Sequence, residues 1–449
     1  MTNKADVYLG KDGVKHYQKC LFEQFNEVIS TPSVQFDEDG HIIKDCDCRP
    51  AVKNEIEKIK ERYGLGIAML VLHAQQFMSG HIPLKIKDKG EDKDLAVDTD
   101  KVEGTNSEQF LYVPVRKYRN DEKKLEELGI VYKYRDKDKY VSHETDKKTC
   151  FYCSCNEMNP NEIVIDHNSD ELSDDYKLGF TYAPFGRPDQ VVHFLAWNNR
   201  KENEQVVDMT FGPTTYSDLV QLVIEINDSI HNYFNPRGIN DAPTIDGIHN
   251  GWAGNTIYHN HYQFFSLENS IPMLSKKNLE EKSLSLNNGT VFIAKMNWPL
   301  PIYRIKGTVT LNKQAGNAIG IAWKSSSDDK CLYRVLRHGF IPEETDYVPV
   351  RTQNLFIPGR EKGEVGYFIP RDCRKVDAGE EVEGIPPKKN LAVLESIGVI
   401  VIDDDEVFGE IKKKDKRELT IVAKSWLKAI AQEEKIFLNV LSTLESPNK

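Results

Sequence analysis

Apolar residues recur three and four apart between positions 11 and 31, where Val14, Tyr17, Cys20, Leu21, Phe22, Phe25 and Val28 mark one face of an amphipathic helix. Residues 55–62 continue as a charged helix, Gly64 and Gly66 interrupt it, and 67–78 is mainly apolar. His73 in that segment reads as a satisfied core histidine rather than a ligand. Residues 86–107 are mostly charged or small and read as a solvated loop. Strands are expected at 110–115, 162–166, 180–184 and 191–197, with a short helix at 121–128. The clearest helix covers 213–234, with Leu219, Leu222, Val223, Ile226 and Ile230 at helical spacing, and Pro236-Arg237-Gly238 ends it. Two strands, 244–248 and 257–265, then flank a glycine-containing loop. The order strand, strand, helix, strand, loop, strand suits an α+β sheet with a helix packed on one face.

After a loop at 266–290, strand-like segments are expected at 291–295, 303–311, 320–323, 331–337, 355–357, 366–370 and 396–402. Residues 378–389 form a Gly/Pro/charged loop. The basic run 411–417 reads as a solvated face leading into a last helix that reaches about Leu444. The element types partly echo the first half, so two related halves are expected. Only the first half carries histidines in a pattern.

Composition is that of an ordinary globular chain, 39% hydrophobic and 29% charged, and long enough for two domains. The net charge of -11 argues against nucleic acid as a bulk partner, because phosphate backbones need a basic surface. A local basic pocket for a small phosphorylated ligand stays open. No apolar run of about 18 residues occurs, so no membrane span is expected. The polar start, Met1 to Asp6, is followed by no signal-peptide core. The eight cysteines therefore read as thiols or a metal site in a reducing compartment, and a cytoplasmic location is expected. Cys46 and Cys48 read as loop thiols rather than a metal pair.

Chemistry concentrates in His249-Asn250-Gly251-Trp252-Ala253-Gly254-Asn255-Thr256-Ile257-Tyr258-His259-Asn260-His261-Tyr262-Gln263. On a strand, positions i, i+2 and i+4 share a face, so His259, His261 and Gln263 point one way and Tyr258, Asn260 and Tyr262 the other. Two imidazoles and an amide can bind a metal, act as acid and base, attack an electrophile, or fill a polar interior. Glutamine fits poorly as a zinc ligand. The loop of small residues suits a phosphate, because backbone amides there can approach its oxygens. A nucleophilic imidazole beside such a cradle points to attack on phosphorus.

Asn250-Gly251, Gly254, Thr256 and His259-Asn260-His261-Tyr262-Gln263 resemble the signature of the histidine-triad superfamily. More narrowly, they resemble its transferase branch, in which the third histidine is glutamine. That branch includes galactose-1-phosphate uridylyltransferases, diadenosine tetraphosphate phosphorylases and GDP-hexose phosphorylases. Cys150-Phe151-Tyr152-Cys153 resembles the C-x-x-C opening of many members, 185–197 their turn into a strand, and 213–234 their long helix. Trp298-Pro299-Leu300-Pro301 and 390–402 are similar to the phosphorylases' second half.

The resemblance implies a histidine-triad-like antiparallel sheet with packed helices. The division expected is an N-terminal helical extension with a charged loop over 1–145, a histidine-triad-like catalytic half over 146–290, and a second α+β half with a C-terminal helix over 291–449. His261 falls on the covalent nucleophile. His259 falls on the histidine that orients the site or binds metal, and Gln263 on the glutamine that contacts the phosphate. Asn250, Gly251, Gly254 and Thr256 fall on the phosphate and nucleotide loop. The mechanism implied is ping-pong: His261 takes a nucleotidyl group from a nucleotide sugar or dinucleoside polyphosphate and passes it to phosphate or a sugar phosphate. The alternatives are a nucleotide hydrolase of the same superfamily and a non-catalytic nucleotide-binding protein. Cationic partners for the phosphates would come from Arg334, Arg337, Arg351, Arg360 or Arg371. Members with zinc combine the two cysteines with histidines. This sequence lacks a histidine at 199–201 and has His193 earlier, with Cys155 or His167 as other substitutes, so zinc at Cys150 and Cys153 stands against unligated thiols. No organic cofactor is implied. Dimers are common in related families, which makes a homodimer an expectation.

Overall fold

Strands 399–402 and, up to Pro370, 365–372 carry almost no polar side chains, and the fold gives the reason: their two faces are both buried. The computed structural model describes residues 15–32, 48–79, 85–88, 91–94, 101–113, 163–180, 191–198, 212–251, 260–267, 271–286, 288–327, 330–332, 347–375, 377–389, 391–432 and 434–445. Helices α1 (His16–Ile29), α2 (Arg49–Tyr63) and α3 (Leu65–Met78) come first. Strands β1 (Lys85–Asp88) and β2 (Glu91–Asp94) form a hairpin where the charged sequence reads as a loop, followed by β3 (Lys101–Glu103) and β4 (Gln109–Tyr112). Then come β5 (Ile165–His167), β6 (Tyr176–Phe180), β7 (His193–Asn198), the long helix α4 (Thr215–Phe234), β8 (Asp246–Asn250) and β9 (His261–Phe265). The second half contains β10 (Asn278–Leu286), β11 (Gly289–Met296), β12 (Tyr303–Lys306), α5 (Val309–Ser325), β13 (Lys330–Leu332), β14 (Tyr347–Pro349), β15 (Arg351–Ile357) and β16 (Val365–Asp372). The chain continues through α6 (Val393–Ser396), β17 (Val399–Ile402), α7 (Asp405–Lys412), α8 (Lys416–Ala429) and α9 (Glu434–Glu445). The helix expected at 121–128 lies outside the described residues.

Ten strands form one antiparallel sheet in the order β10-β11-β12-β16-β15-β8-β9-β7-β6-β5. This order is two five-stranded units with the same connectivity. Each runs through three strands, a crossover helix and two more strands, the last of which returns beside the third. The units meet where β8 pairs with β15, Asn250 opposite Asn354 and His249 opposite Leu355. The fold is α+β, with two topologically related halves.

The alternation of side chains divides the sheet between two cores. Phe194, Tyr262, Phe264, Leu355 and Phe368 face α3, α4, α5 and α9. Ile248, Phe265, Phe356, Tyr367 and Ile369 face the other way, against β4, β17 and α8. There, β17 pairs parallel to β4, which pairs with β3. Trp298 and the segment near 396 meet in this layer: the Trp298 indole donates to the Ser396 carbonyl at 2.8 Å. His73 is buried in the helical layer, where burial pushes its imidazole down to about 3 and the Val191 backbone partners it.

Two expectations for the second half are corrected. Residues 303–311 and 320–323 are not two strands: β12 ends at Lys306, and the residues from Val309 on belong to α5, capped by Thr308 Oγ1 accepting from the Leu311 amide. The glycine that breaks the helical pattern is a packing contact. A Cβ at Gly316 would lie 2.2 Å from the Tyr216 ring of α4. Gly316→Ala should therefore cost about 1–3 kcal/mol by forcing α4 and α5 apart, measured as a lower urea midpoint; an unchanged midpoint would reject the contact. The loop expected at 266–290 holds β10, an edge strand whose first six residues are exposed. Its Glu280, Glu281 and Lys282 are typical of a solvated edge and hide the strand pattern. Cys20 and Cys48 are free thiols, whereas Cys373 is disulfide-bonded.

Candidate active site

His261 opens β9, the second strand of the β8–β9 hairpin, and is 6% exposed. The aromatic run that follows it, Tyr262, Phe264 and Phe265, drives the strand into the sheet between β7 and β8. Alternation puts His261 and Gln263 on the face away from α4, as the sequence spacing predicts. Trp197 lies opposite His261 on β7. On β8, His249 pairs with Tyr262, so the next position, Asn250, lies beside His261 on that same face. Gln263 is the one partly exposed position of β9.

The reverse face of β9 is locked by a polar network. The Tyr262 hydroxyl donates to the Thr215 carbonyl at the start of α4, 3.0 Å away, and lies 3.5 Å from the Tyr176 hydroxyl. Tyr176 donates to Asp218 at 2.7 Å, and Asp218 also takes the Ser173 hydroxyl and amide. His249 Nε2 lies 2.9 Å from the Asn260 Oδ1. Burial first and the neighbouring His261 second push the His249 imidazole down to about 3, so it is neutral. With a carbonyl oxygen as its partner, Nε2 carries the proton, and Nδ1 has no hydrogen-bond partner. A neutral His249 adds no like charge next to His261. Sequence reasoning gave His249 no role; its signal is its place in register with the histidine strand, which needs the hairpin pairing.

Asn250 and Gly251 are tied into the molecule. Asn250 Oδ1 accepts the Val393 amide of α6 at 3.0 Å. The Gly251 amide donates to the Gln353 carbonyl at 2.9 Å and lies 3.3 Å from Asn354 Oδ1. A Cβ at Gly251 would sit 2.2 Å from the Gln353 carbonyl oxygen, so glycine here permits close approach of β15. That amide is committed to the sheet rather than turned toward a phosphate. His259, Gly254, Thr256, Cys150 and Cys153 lie outside the described residues, as do Arg334 and Arg337.

The remaining arginines are engaged separately and are not brought together as a group. Arg351 donates to Ser326 at the end of α5 and stacks 5.4 Å over the Trp323 ring. Arg371 is fully buried, donating to Ser396 Oγ at 3.1 Å and to the Leu391 carbonyl at 3.0 Å. Arg360 lines a cavity at the other end of the hairpin. His167 Nε2 lies 2.6 Å from Glu225 of α4, and His193 is buried on β7. Among the described residues, no group of three or more His, Cys, Asp or Glu side chains could hold a metal ion, and no helix is long and apolar enough to cross a membrane.

Asp246 opens β8 and accepts the Gly359 amide at 2.8 Å. Burial pushes its carboxyl up to about 7, opposed by that amide and by Arg360. An unfolded aspartate ionises near 4, so stability linked to Asp246 is complete below about pH 4 and is lost as pH rises through 7. Asp246→Asn removes this slope. Relative to the wild type it should gain roughly 2 kcal/mol between pH 4 and pH 8, less than the full linkage value because the side chain keeps partial exposure. Denaturant midpoints at the two pH values measure it, and a pH-independent difference would reject it.

No family model matches the chain, and no curated protein matches it. Among solved structures, that of yeast Ap4A phosphorylase in complex with Ap4A matches with a TM-score of 0.43 and 11% identity, covering 80% of this chain and 95% of that chain. A likeness of that size carries no argument about activity.

Proposed function

We propose that the chain is a nucleotidyltransferase or phosphorylase acting on a nucleotide sugar or dinucleoside polyphosphate through a covalent nucleotidyl-histidine. The observation that carries this reading is the pairing of His261 and Gln263 on one face of β9, with Asn250 beside them and the opposite face locked to α4. Residues two apart on a strand are about 7 Å apart, so an imidazole and a longer amide can both reach one phosphoryl group. A His261 ring nitrogen attacks the α-phosphorus. The P–N bond forms as the P–O bond to the leaving sugar phosphate or nucleotide breaks, and that oxygen keeps the electron pair. Inorganic phosphate or a sugar phosphate then attacks the same phosphorus through oxygen, breaking the P–N bond and restoring the imidazole. Gln263 donates its amide N–H to a phosphoryl oxygen throughout and exchanges no proton. The rigid network behind β9 keeps the nucleophile in place without reorganisation, which favours a developing charge on phosphorus.

The test is incubation with a panel of labelled nucleoside diphosphate sugars and diadenosine polyphosphates, with and without phosphate. An acid-labile, base-stable protein adduct discharged by phosphate is expected. Release of mononucleotide with water as the only acceptor would replace this reading by hydrolysis, and binding without turnover by a regulatory role.

A further inference from the structure

A cavity of about 800 Å³ opens on the sheet face away from α4, at the Asp246 end of β8. Neither His261 nor Gln263 lines it. Ser266, which does, lies five residues beyond His261 along the chain, about 17 Å at strand spacing. The volume is within the range of small-molecule sites.

Its charge runs against that of the chain. The net charge is -11, yet the lining holds five cations, Lys15, Lys276, Lys277, Arg304 and Arg360, against three carboxylates, Asp241, Asp246 and Glu361. Two of the carboxylates are already occupied. Asp241 accepts the His16 and Tyr17 amides at the start of α1, at 2.5 and 3.3 Å. Asp246 accepts the Gly359 amide, and burial favours its neutral form. Of the cations, Lys276 donates to the Asn106 carbonyl at 3.1 Å, and Arg304 hydrogen-bonds the Tyr367 hydroxyl. Among the described residues, no close ion pair engages Arg304, Arg360 or Lys277, and Arg360 acts on Asp246 through its charge. These cations come from β12, from the turn after β15 and from the segment before β10, so the tertiary fold assembles the group. Tyr367, Met296 and Ile271 supply an apolar wall beside them.

We propose that this cavity is a second binding site, separate from His261, for a small molecule bearing one or two phosphates. Guanidinium groups match phosphate oxygens bidentately, and the wall of Tyr367, Met296 and Ile271 accepts a ring or other compact body. The acidic remainder of the chain repels long polyanions, which restricts the site to small ones.

The probe is inorganic pyrophosphate, titrated calorimetrically into the full chain. The expected result is binding in which Arg304→Gln combined with Arg360→Gln weakens affinity by about tenfold or more, the scale of lost charge-assisted hydrogen bonds. His261→Asn should leave that binding unchanged. Lys277→Gln, at an exposed position outside both cores, serves as a second variant if the double substitution destabilises the fold, and should weaken binding about threefold. The proposal is overturned if wild type binds no pyrophosphate, if the arginine or lysine substitutions leave affinity unaltered, or if His261→Asn abolishes the binding. Absence of a histidine adduct would refute the proposed activity without touching these outcomes.

Discussion

His261→Ala is expected to erase the acid-labile adduct and to lower turnover on the order of 10⁴-fold or more, because a covalent route cannot proceed without its nucleophile. Folding should be nearly unaffected by comparison. The backbone of β9 is held by β7 and β8 whatever the side chain, and the locking network runs through Tyr262 and Asn260 on the reverse face. The measurement is a single-turnover assay with labelled substrate alongside a denaturation curve. An adduct that survives in the folded variant would remove His261 from the mechanism. Gln263→Glu, which puts a carboxylate oxygen in place of the amide donor facing the phosphoryl oxygen, is expected to keep the fold and slow adduct formation through like-charge repulsion.

Arg371→Ala is expected to destabilise the fold by about 3–5 kcal/mol, the scale for truncating a large buried side chain and leaving buried acceptors unpaired. Arg371 has no solvent exposure, and three acceptors surround it: Ser396 Oγ and the carbonyls of Leu391 and Lys375. Burial brings its pKa down to about 10, opposed by Glu395 and Asp372, so it remains a cation at neutral pH. Removing it leaves these acceptors without a donor and opens a void under α6. Arg371→Met should cost less, because it loses the same donors but fills the volume that alanine leaves empty. Guanidinium denaturation of the two variants measures the difference. An alanine variant within 1 kcal/mol of wild type would show that the network adds nothing. Because α6 also holds Asn250 through the Val393 amide, loss of Arg371 should loosen the strand end beside His261 as well.

Much of the local structure was legible in the sequence. The spacing of Leu219, Leu222, Val223, Ile226 and Ile230 predicts α4, which runs from Thr215 to Phe234. The alternation through His261, Tyr262 and Gln263 predicts which of them share a face, because strand geometry leaves no other choice. Residues 405–445 are less well predicted: the sequence places one helix after the basic run 411–417, where α8 and α9 stand, and no helix at α7, although Asp404 and Asp415 cap separate helices by accepting main-chain amides. The charges on β10 and the glycines in α5 masked their elements, because exposure and helix contact there are set by neighbours distant in sequence.

The histidine stretch therefore carries its own chemistry, since residue type and a period of two are local properties. Its surroundings are not local. Gly251 meets Gln353, Asn250 meets Val393, and Arg371 meets Leu391 and Ser396. The pairing of β8 with β15 joins halves about a hundred residues apart, and it turns Gly251 from a phosphate-loop residue into a sheet contact. Arg371, a candidate phosphate ligand by charge alone, becomes a core residue for the same reason. Burial and partnership depend on which segments pack together, and that is decided only when the ten-stranded sheet closes between its two cores.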